Sequence, residues 1–224
     1  MSFRVHPIDT GMSWCYLIEG KAGMVLVDAG APGRGELIHK RLRELGRDDL
    51  RLIYITHAHL DHYGSADELR RLTGAPIAVH EADVEAMSLG ETRLGSVRWW
   101  GHLVRLLLPF APRYLRPPPT AADVVLRDGD TLEDYGIRGE VLHTPGHTVG
   151  STSLFVDDRL LFVGDLVSYT MWPHPQMLYA HDWEQLYSSI RRLQRLAADK
   201  AEWVYSGHGR RVLTGSDFSR IKIR

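Results

Sequence analysis

Short apolar runs alternate along the chain with amphipathic stretches, and the pattern predicts two groups of β-strands flanked by helices. In the first group, strands are predicted near residues 14–19, 24–28, 52–56 and 76–79, and helices near 35–46 and 65–73. In the second group, strands are predicted near 123–126, 139–143, 152–156, 160–164 and 202–205, and a helix near 183–197. Two such groups predict two sheets packed together, with helices on the outer faces.

The composition is that of an ordinary globular protein. The chain has 224 residues, 44% hydrophobic and 25% charged, which predicts a single domain spanning residues 1–224. The formal net charge of −1 gives no general attraction to nucleic acid or to an anionic membrane, so neither partner is expected. The single cysteine, Cys15, excludes an internal disulfide. Neither a signal-peptide pattern nor a run of ~18 apolar residues is visible, so a cytoplasmic location is expected.

Histidine and aspartate side chains form a set of candidate metal ligands. The densest part is the segment Thr56-His57-Ala58-His59-Leu60-Asp61-His62, which follows a predicted strand and precedes a predicted helix with Ser65 as its candidate N-cap. The full set is His57, His59, Asp61, His62, His147, Asp165 and His208. Imidazole nitrogens and carboxylate oxygens suit ions such as Zn²⁺. Because groups packed this closely cost stability unless a cation satisfies them, the segment predicts a metal site on a strand-to-helix turn.

Five motifs in this order resemble those of the metallo-β-lactamase superfamily. The His-x-His-x-Asp-His segment matches the motif that characterises the superfamily, and the strand ending in Asp28-Ala29-Gly30 is similar to its first motif. Downstream, Thr144-Pro145-Gly146-His147-Thr148, Gly164-Asp165 and Gly207-His208-Gly209 match three further motifs. The resemblance covers almost the whole chain. It implies an α/β fold in which four layers form an αββα sandwich, with metal ions at one edge between the sheets.

The resemblance also implies a role for each candidate ligand. His57, His59 and His147 would bind one ion, Asp61, His62 and His208 a second, and Asp165 would bridge both. Zinc is the favoured metal, although manganese or iron would accept the same ligands. Two such ions would make a bridging hydroxide available near neutral pH, and Asp61 would pass a proton to the leaving group. The predicted reaction is hydrolysis of an ester, a lactone or a thioester.

Two residues outside the ligand set are candidates for roles near the metals. Asp28 could orient a ligand imidazole, or it could be an ordinary turn residue at a strand end. Tyr169 follows the bridging aspartate by four residues and could place its phenol near the substrate, or pack within a loop. The segment from Ser168 to Tyr179, which contains two prolines, predicts an irregular loop.

An insertion at about residues 90–120 separates the two halves of the chain. Its apolar run, followed by Pro117-Pro118-Pro119, predicts a short helix with an extended exit. One interpretation is a cap over the metal cleft that presents Trp100, Leu107 and Phe110 to the apolar part of a small-molecule substrate. The other is a helix that packs on the body or forms a homodimer contact.

Members of the superfamily match the sequence to different degrees. β-Lactamases lack a bridging aspartate here. Acyl-homoserine lactonases are closer in overall plan, with a compact length and apolar cap elements, but they carry a tyrosine where this chain has Ser168, which weakens that assignment. The segment after Asp165 also lacks the glutathione-binding pattern of glyoxalase II. Three alternatives stay open: a mono-iron oxidoreductase similar to persulfide dioxygenases, a phosphodiesterase or nuclease of the same fold, and a non-catalytic binding module that metal ions stabilise. Metal analysis would separate the mono-iron oxidoreductase from a dinuclear hydrolase, and the complete set of seven candidate ligands argues against a non-catalytic module.

Overall fold

The computed structural model describes residues 4–110, 112, 115–209 and 212–223. The strands are β1 Arg4–Asp9, β2 Trp14–Glu19, β3 Met24–Val27, β4 Leu50–Tyr54, β5 Ile77–His80, β6 Ser96–Val97, β7 Val124–Leu126, β8 Gly139–His143, β9 Thr152–Val156, β10 Leu160–Phe162, β11 Val167–Tyr169, β12 Pro173–Pro175, β13 Tyr179–Ala180, β14 Trp203–Tyr205, β15 His208–Gly209 and β16 Val212–Thr214. The helices are α1 Gly35–Glu44, α2 Leu60–Tyr63, α3 Ala66–Thr73, α4 Val84–Leu89, α5 Gly101–Leu107, α6 Trp183–Asp199 and α7 Gly215–Ser219.

Two large sheets form the centre of the fold. One has the strand order β1-β2-β3-β4-β5-β7 and the other β16-β14-β10-β9-β8. Successive side chains of a strand point to opposite faces, and in the central strands both faces are apolar. In β3, for example, Val25 and Val27 pack between the sheets while Met24 and Leu26 pack under the outer helices.

Three apolar cores separate four layers of secondary structure. One core lies between the sheets, a second lies where α1 and α3 cover the first sheet, and a third lies where α6 and α7 cover the second. This arrangement confirms the predicted αββα sandwich. Among the described helices, none is both long enough and apolar enough to cross a lipid bilayer.

A local signal explains where α6 begins, whereas the residue predicted to cap α3 has another role. Helix α6 begins after Asp182, whose carboxylate accepts hydrogen bonds from the backbone N–H groups of Glu184 and Gln185 at 2.8 and 3.0 Å. Helix α3 starts after Ser65, as predicted, but this side chain does not cap it. The Ser65 hydroxyl instead donates to the Ala31 carbonyl at 2.6 Å and accepts from the Arg34 N–H at 2.7 Å, so it joins two loops.

Some elements differ from the sequence predictions. The strand predicted near 52–56 is β4, which ends at Tyr54. The ligand segment therefore lies after the strand, beginning at Thr56, and its last residues belong to helix α2, which was not predicted. The prediction of an irregular loop from Ser168 to Tyr179 was wrong in part. Strands β11 and β12 pair with each other, β11 also pairs with β15, and β13 pairs with β6. The β11–β15 and β13–β6 pairings join distant parts of the chain, so no local pattern predicted them. The β11–β12 pairing is local, but Pro173 and Pro175 in β12 obscured its strand signal.

Candidate metal centre

The seven predicted ligands lie together at one edge of the two large sheets. His57 and His59 follow β4, His147 follows β8, Asp165 follows β10, and His208 is in β15 after β14. Their ligand atoms form three overlapping groups, each within 4.8 Å: His57, His59 and His147; His57, His62 and Asp165; and Asp61, His62 and His208. The first and third groups are the two triads that the family resemblance implied.

In the first triad, His57 and His59 each use one ring nitrogen for a hydrogen bond outside the cluster, so the other nitrogen of each ring faces the cluster. His59 Nε2 lies 3.2 Å from the Arg93 carbonyl, to which it donates, so His59 Nδ1 is left for an ion. That Nδ1 is 3.1 Å from His57 Nε2. The His147 ring lies 4.7 and 4.6 Å, between centroids, from the rings of His57 and His59. Three imidazoles arranged in this way suit a transition-metal ion.

Asp165 lies between the two triads. Its Oδ2 is 3.0 Å from His208 Nε2 and 3.6 Å from His147 Nε2, while its Oδ1 is 3.2 Å from His62 Nε2. The second triad closes through Asp61, whose Oδ2 is 3.3 Å from His208 Nε2. A carboxylate that faces imidazoles of both triads has the position that a bridging ligand needs.

Asp28 supports two of the imidazoles from behind. Its Oδ2 lies 2.8 Å from His62 Nδ1, so His62 donates there and directs Nε2 toward the cluster. The Thr56 hydroxyl donates to the Asp28 carboxylate at 3.0 Å and is therefore left to accept from His57 Nδ1, also at 3.0 Å. The sequence prediction did not say which imidazole Asp28 would orient; in the structure Asp28 contacts His62 directly and reaches His57 through Thr56.

Burial and neighbouring charges divide the imidazoles into two electrostatic groups. Burial lowers the pKa of His57 and lowers the pKa of His147 to about 3, so both are neutral near pH 7. For His208, burial also opposes the charged form, but Asp165 and Asp61 outweigh it and raise the pKa to about 10. His62 behaves in the same way, because Asp165, Asp28 and Asp61 outweigh the effect of burial and raise its pKa. The aspartates of the cluster therefore favour positive charge beside them, and in the metal-free protein the protons on His62 and His208 provide it.

Buried polar atoms without partners test whether metal ions fit this cluster. Among the described residues, the buried atoms that make no hydrogen bond are His62 Nε2, both ring nitrogens of His147, and Asp165 Oδ1; His62 Nε2 and Asp165 Oδ1 face each other at 3.2 Å as an ion contact. Buried polar atoms normally have a hydrogen-bond partner. His62 Nε2, His147 Nε2 and Asp165 Oδ1 belong to the cluster, where bound cations would satisfy them. The donor set of imidazoles and carboxylates therefore fits divalent metal ions.

A glycine allows the backbone to approach the cluster closely. A Cβ at Gly207 would collide with Asp165 Oδ1 and would lie 2.7 Å from His62 Cε1. Any larger residue would displace one of these side chains, so the Gly-His-Gly motif places His208 beside the other ligands.

A buried carboxylate that the sequence prediction missed joins the two ligand loops. Asp83 Oδ2 accepts from the Ala58 N–H and from the Thr148 hydroxyl, both at 2.8 Å, and Oδ1 accepts from the Gly150 N–H at 2.9 Å. Ala58 lies between His57 and His59, and Thr148 follows His147. Asp83 therefore fixes both loops that carry the first triad, a role that depends on contacts across 25 to 67 residues of sequence.

A tyrosine that was not predicted, Tyr179, lies with its ring against two candidate ligands. Its ring centroid is 5.6 Å from that of His59 and 5.4 Å from that of His147. Burial, with smaller effects from Asp61 and Asp165, raises its pKa, so the phenol is protonated near neutral pH. Tyr169, the predicted candidate, lines a cavity to which none of the seven candidate ligands contributes.

The insertion residues predicted to contact substrate are exposed. Trp100, Leu107 and Phe110 are 72%, 55% and 79% exposed, on or next to α5 and the 3₁₀ turn that follows it. Their predicted role as a cap stays a prediction, as does the alternative of a homodimer contact.

The chain belongs to the metallo-β-lactamase superfamily, whose family model matches residues 8–208. It is therefore a metallo-hydrolase of that superfamily, with a His and Asp cluster that could hold metal ions.

Two relatives illustrate the range of similar proteins. A probable metallo-hydrolase of Methanocaldococcus jannaschii is 27% identical over 197 residues, covering 87% of this chain and 86% of that protein. A human acyl-coenzyme A thioesterase is 32% identical over 165 residues, covering 68% of this chain and 57% of that protein.

Solved structures agree on the fold. The B3 metallo-β-lactamase BLEG-1 superposes with a TM-score of 0.73 at 23% identity, covering 96% of this chain and 95% of that one. A superfamily protein from Sulfolobus tokodaii has a TM-score of 0.69 at 20% identity, covering 100% of this chain and 90% of that one. At these identities the likeness concerns the fold alone.

Proposed function

We propose that the protein is a dinuclear, zinc-dependent hydrolase that cleaves the thioester bond of a small-molecule substrate with an apolar acyl part. The observation that carries the proposal is the convergence of two ligand triads on the shared carboxylate of Asp165. The similarity to an acyl-coenzyme A thioesterase supports the choice of a thioester over an oxygen ester or a lactone.

Each half of the cluster has a distinct task in this proposal. His57, His59 and His147 would hold one ion and Asp61, His62 and His208 the other, with Asp165 contacting both. Divalent ions held here would lower the pKa of water toward neutrality and polarise a carbonyl group.

The chain's own groups would control geometry and proton transfer. Asp28 and Asp83 hold the ligand loops in place, so little reorganisation is needed when substrate binds. In the metal-free protein, burial opposes ionisation of Asp61, but protonated His62 and His208 outweigh it and lower its pKa to about 2. Bound cations would favour the same charged carboxylate. As water adds its oxygen to the carbonyl carbon, Asp61 would accept the proton and pass it to the sulfur when the C–S bond breaks.

Metal analysis followed by a substrate panel tests this function. Purified protein should contain close to two zinc equivalents and should hydrolyse an acyl-N-acetylcysteamine thioester faster than an aryl ester, a lactone or a phosphodiester. One iron equivalent with oxygen-dependent turnover of glutathione persulfide would support the oxidoreductase alternative instead. Preferred cleavage of a phosphodiester would replace the proposal with a phosphodiesterase.

A further inference from the structure

A large cavity lies beside the candidate metal centre, and the proposed function does not yet use it. Its volume is about 830 Å³, and its walls come from the residues after β6, the segment β11–β12, the start of α6, and the C-terminal segment around α7. None of the seven candidate ligands lines it. A cavity of this size is in the range of small-molecule and cofactor sites.

The charged groups of this cavity favour an anion. Three cationic side chains line it, from Arg98, Arg220 and Lys222, while Asp217 is the one lining carboxylate. Asp217 already accepts a hydrogen bond from the Thr214 hydroxyl at 2.7 Å. Among the residues that the structure describes, no carboxylate forms an ion pair with any of the three cations. Their unneutralised charge would attract a ligand that carries phosphate groups.

Aromatic side chains accompany the cations. The Arg98 guanidinium carbon lies 4.0 Å from the centre of the Trp183 ring, and Nη1 donates to the Tyr187 hydroxyl at 3.1 Å. These contacts hold the guanidinium in one orientation before any ligand arrives. Trp172 also lines the cavity although 60% of its surface is exposed, which leaves its indole available to stack on a flat ring.

The backbone conformation of Trp99 is a second, independent observation that favours ligand binding at this wall of the cavity. Its side chain lines the cavity, is 82% exposed, and is attached to a backbone with φ of +50°. A bulky side chain rarely adopts a left-handed conformation, and residues held this way are concentrated at ligand-binding sites. Burial of the indole does not offset the cost of this backbone conformation, because most of the indole is exposed to solvent.

Two short sheets connect the cavity with the metal centre. In the β6–β13 pair, Tyr179 contacts His59 and His147, while the Arg98 N–H donates to the neighbouring Leu178 carbonyl at 2.7 Å. In the β11–β15 pair, Ser168 lies opposite His208, and the next residue, Tyr169, lines the cavity. The same short strands therefore border both sites.

From these features we infer that the cavity binds the phosphorylated adenosine end of a coenzyme A thioester. The cations would contact the phosphates, the indoles would stack on the adenine, and the flexible arm of the carrier would place the thioester at the metal centre. The inference rests on the proposed thioesterase function and names its carrier.

Equilibrium binding of adenosine 3′,5′-bisphosphate tests the cavity without any turnover. The test compares the metal-loaded wild-type protein with the double variant Arg220→Ala/Lys222→Ala. The matched control is Lys40→Ala/Arg43→Ala, which removes two exposed charges from α1 on the other sheet. We expect the cavity variant to bind the bisphosphate at least roughly tenfold more weakly, because two charge-assisted contacts are lost, while the control binds like wild type. Equal affinity in all three proteins would overturn the inference.

Kinetics provide a second test, which compares two thioester substrates in the wild type and then in the cavity variant. The wild-type KM for an acyl-coenzyme A should be at least roughly tenfold lower than for the acyl-N-acetylcysteamine thioester with the same acyl group. The cavity variant should lose this difference through KM, with kcat unchanged. Equal KM values in the wild type would contradict the cavity inference while leaving the thioesterase intact. If neither thioester is cleaved, the proposed function fails, and bisphosphate binding still decides whether the cavity is a nucleotide site.

Discussion

The ligand turn at His57–His62 and the apolar segment at Trp99–Phe110 both place side chains where folded proteins usually avoid them. The turn buries imidazoles and a carboxylate, whereas the segment exposes indole, leucine and phenylalanine side chains to solvent. The difference lies in what surrounds each of them. Asp28 and Asp83 support the turn and its partner loop from several sides, and the atoms left unsatisfied there are few and convergent.

The comparison indicates what kind of ligand each region needs. A few convergent nitrogen and oxygen atoms in a buried, supported site suit small cations. Exposed apolar side chains on a short helix are instead typical of a surface that a larger molecule covers, either a substrate or a second copy of the chain. Four variants test this contrast between the buried ligand turn and the exposed apolar segment.

The largest effect is expected for Asp165→Ala. This change removes the carboxylate that faces both triads, so bound metal and hydrolytic activity should fall together, by more than about 100-fold for activity. Elemental analysis and initial rates on the same preparation measure both quantities. Asp48→Ala, at an exposed loop carboxylate, serves as the control and should retain both. Full activity in the Asp165 variant would contradict the dinuclear mechanism.

Asp28→Asn should weaken metal binding without disturbing the backbone. Asparagine tolerates the φ of +60° found at this position, so the turn should persist. The loss of the carboxylate charge beside His62 and Thr56 should lower zinc affinity roughly 10- to 100-fold, as measured by competition with a chelator. An unchanged affinity would show that Asp28 is an ordinary turn residue, which was the alternative interpretation of the sequence.

Asp83→Ala should affect stability as well as the metal centre. Three donors from two ligand loops would lose a buried acceptor, so the free energy of unfolding should fall by about 2–4 kcal/mol. Denaturant unfolding of metal-free protein measures this loss apart from any loss of zinc. Asp128→Ala provides a matched control, because Asp128 accepts a backbone hydrogen bond from His143 in an exposed position. A loss no larger than in the control would mean that Asp83 does not hold the loops.

The smallest effect is expected for Leu107→Ser/Phe110→Ser. Both side chains are exposed, so folding should be unaffected. If the segment caps the substrate, KM for a long-chain acyl thioester should rise about three- to tenfold, while KM for the acetyl thioester stays the same. Analytical sedimentation of the wild type and the variant measures their oligomeric state and so tests the alternative, a homodimer contact. A shift from dimer to monomer with unchanged KM would identify the segment as a homodimer contact.

The sequence predicts the features that local patterns encode. Apolar runs placed β8 at Gly139–His143 and β9 at Thr152–Val156 with the bounds that the structure has, because β9 is buried throughout and β8 buries Val141 and Leu142. The seven candidate ligands could be selected because four of the five motifs of the resemblance contain them. Their convergence in space was then a consequence of the fold.

Contacts between distant segments were beyond the reach of the sequence. Asp83 follows a strand in an unremarkable acidic stretch, and its role emerges only where Ala58, Thr148 and Gly150 meet it. Tyr179 had no ligand-like spacing, whereas Tyr169 lay near Asp165 in sequence and attracted the prediction. The edge strand β1 at Arg4–Asp9 is only half-buried, so its hydrophobic signal is weak.

Anomalous diffraction at the zinc edge, from crystals grown with zinc, tests the central claim most directly. The account predicts two peaks, one among His57, His59 and His147 and one among Asp61, His62 and His208, with the Asp165 carboxylate contacting both. A single peak, or zinc bound elsewhere while the cluster stays empty, would contradict it.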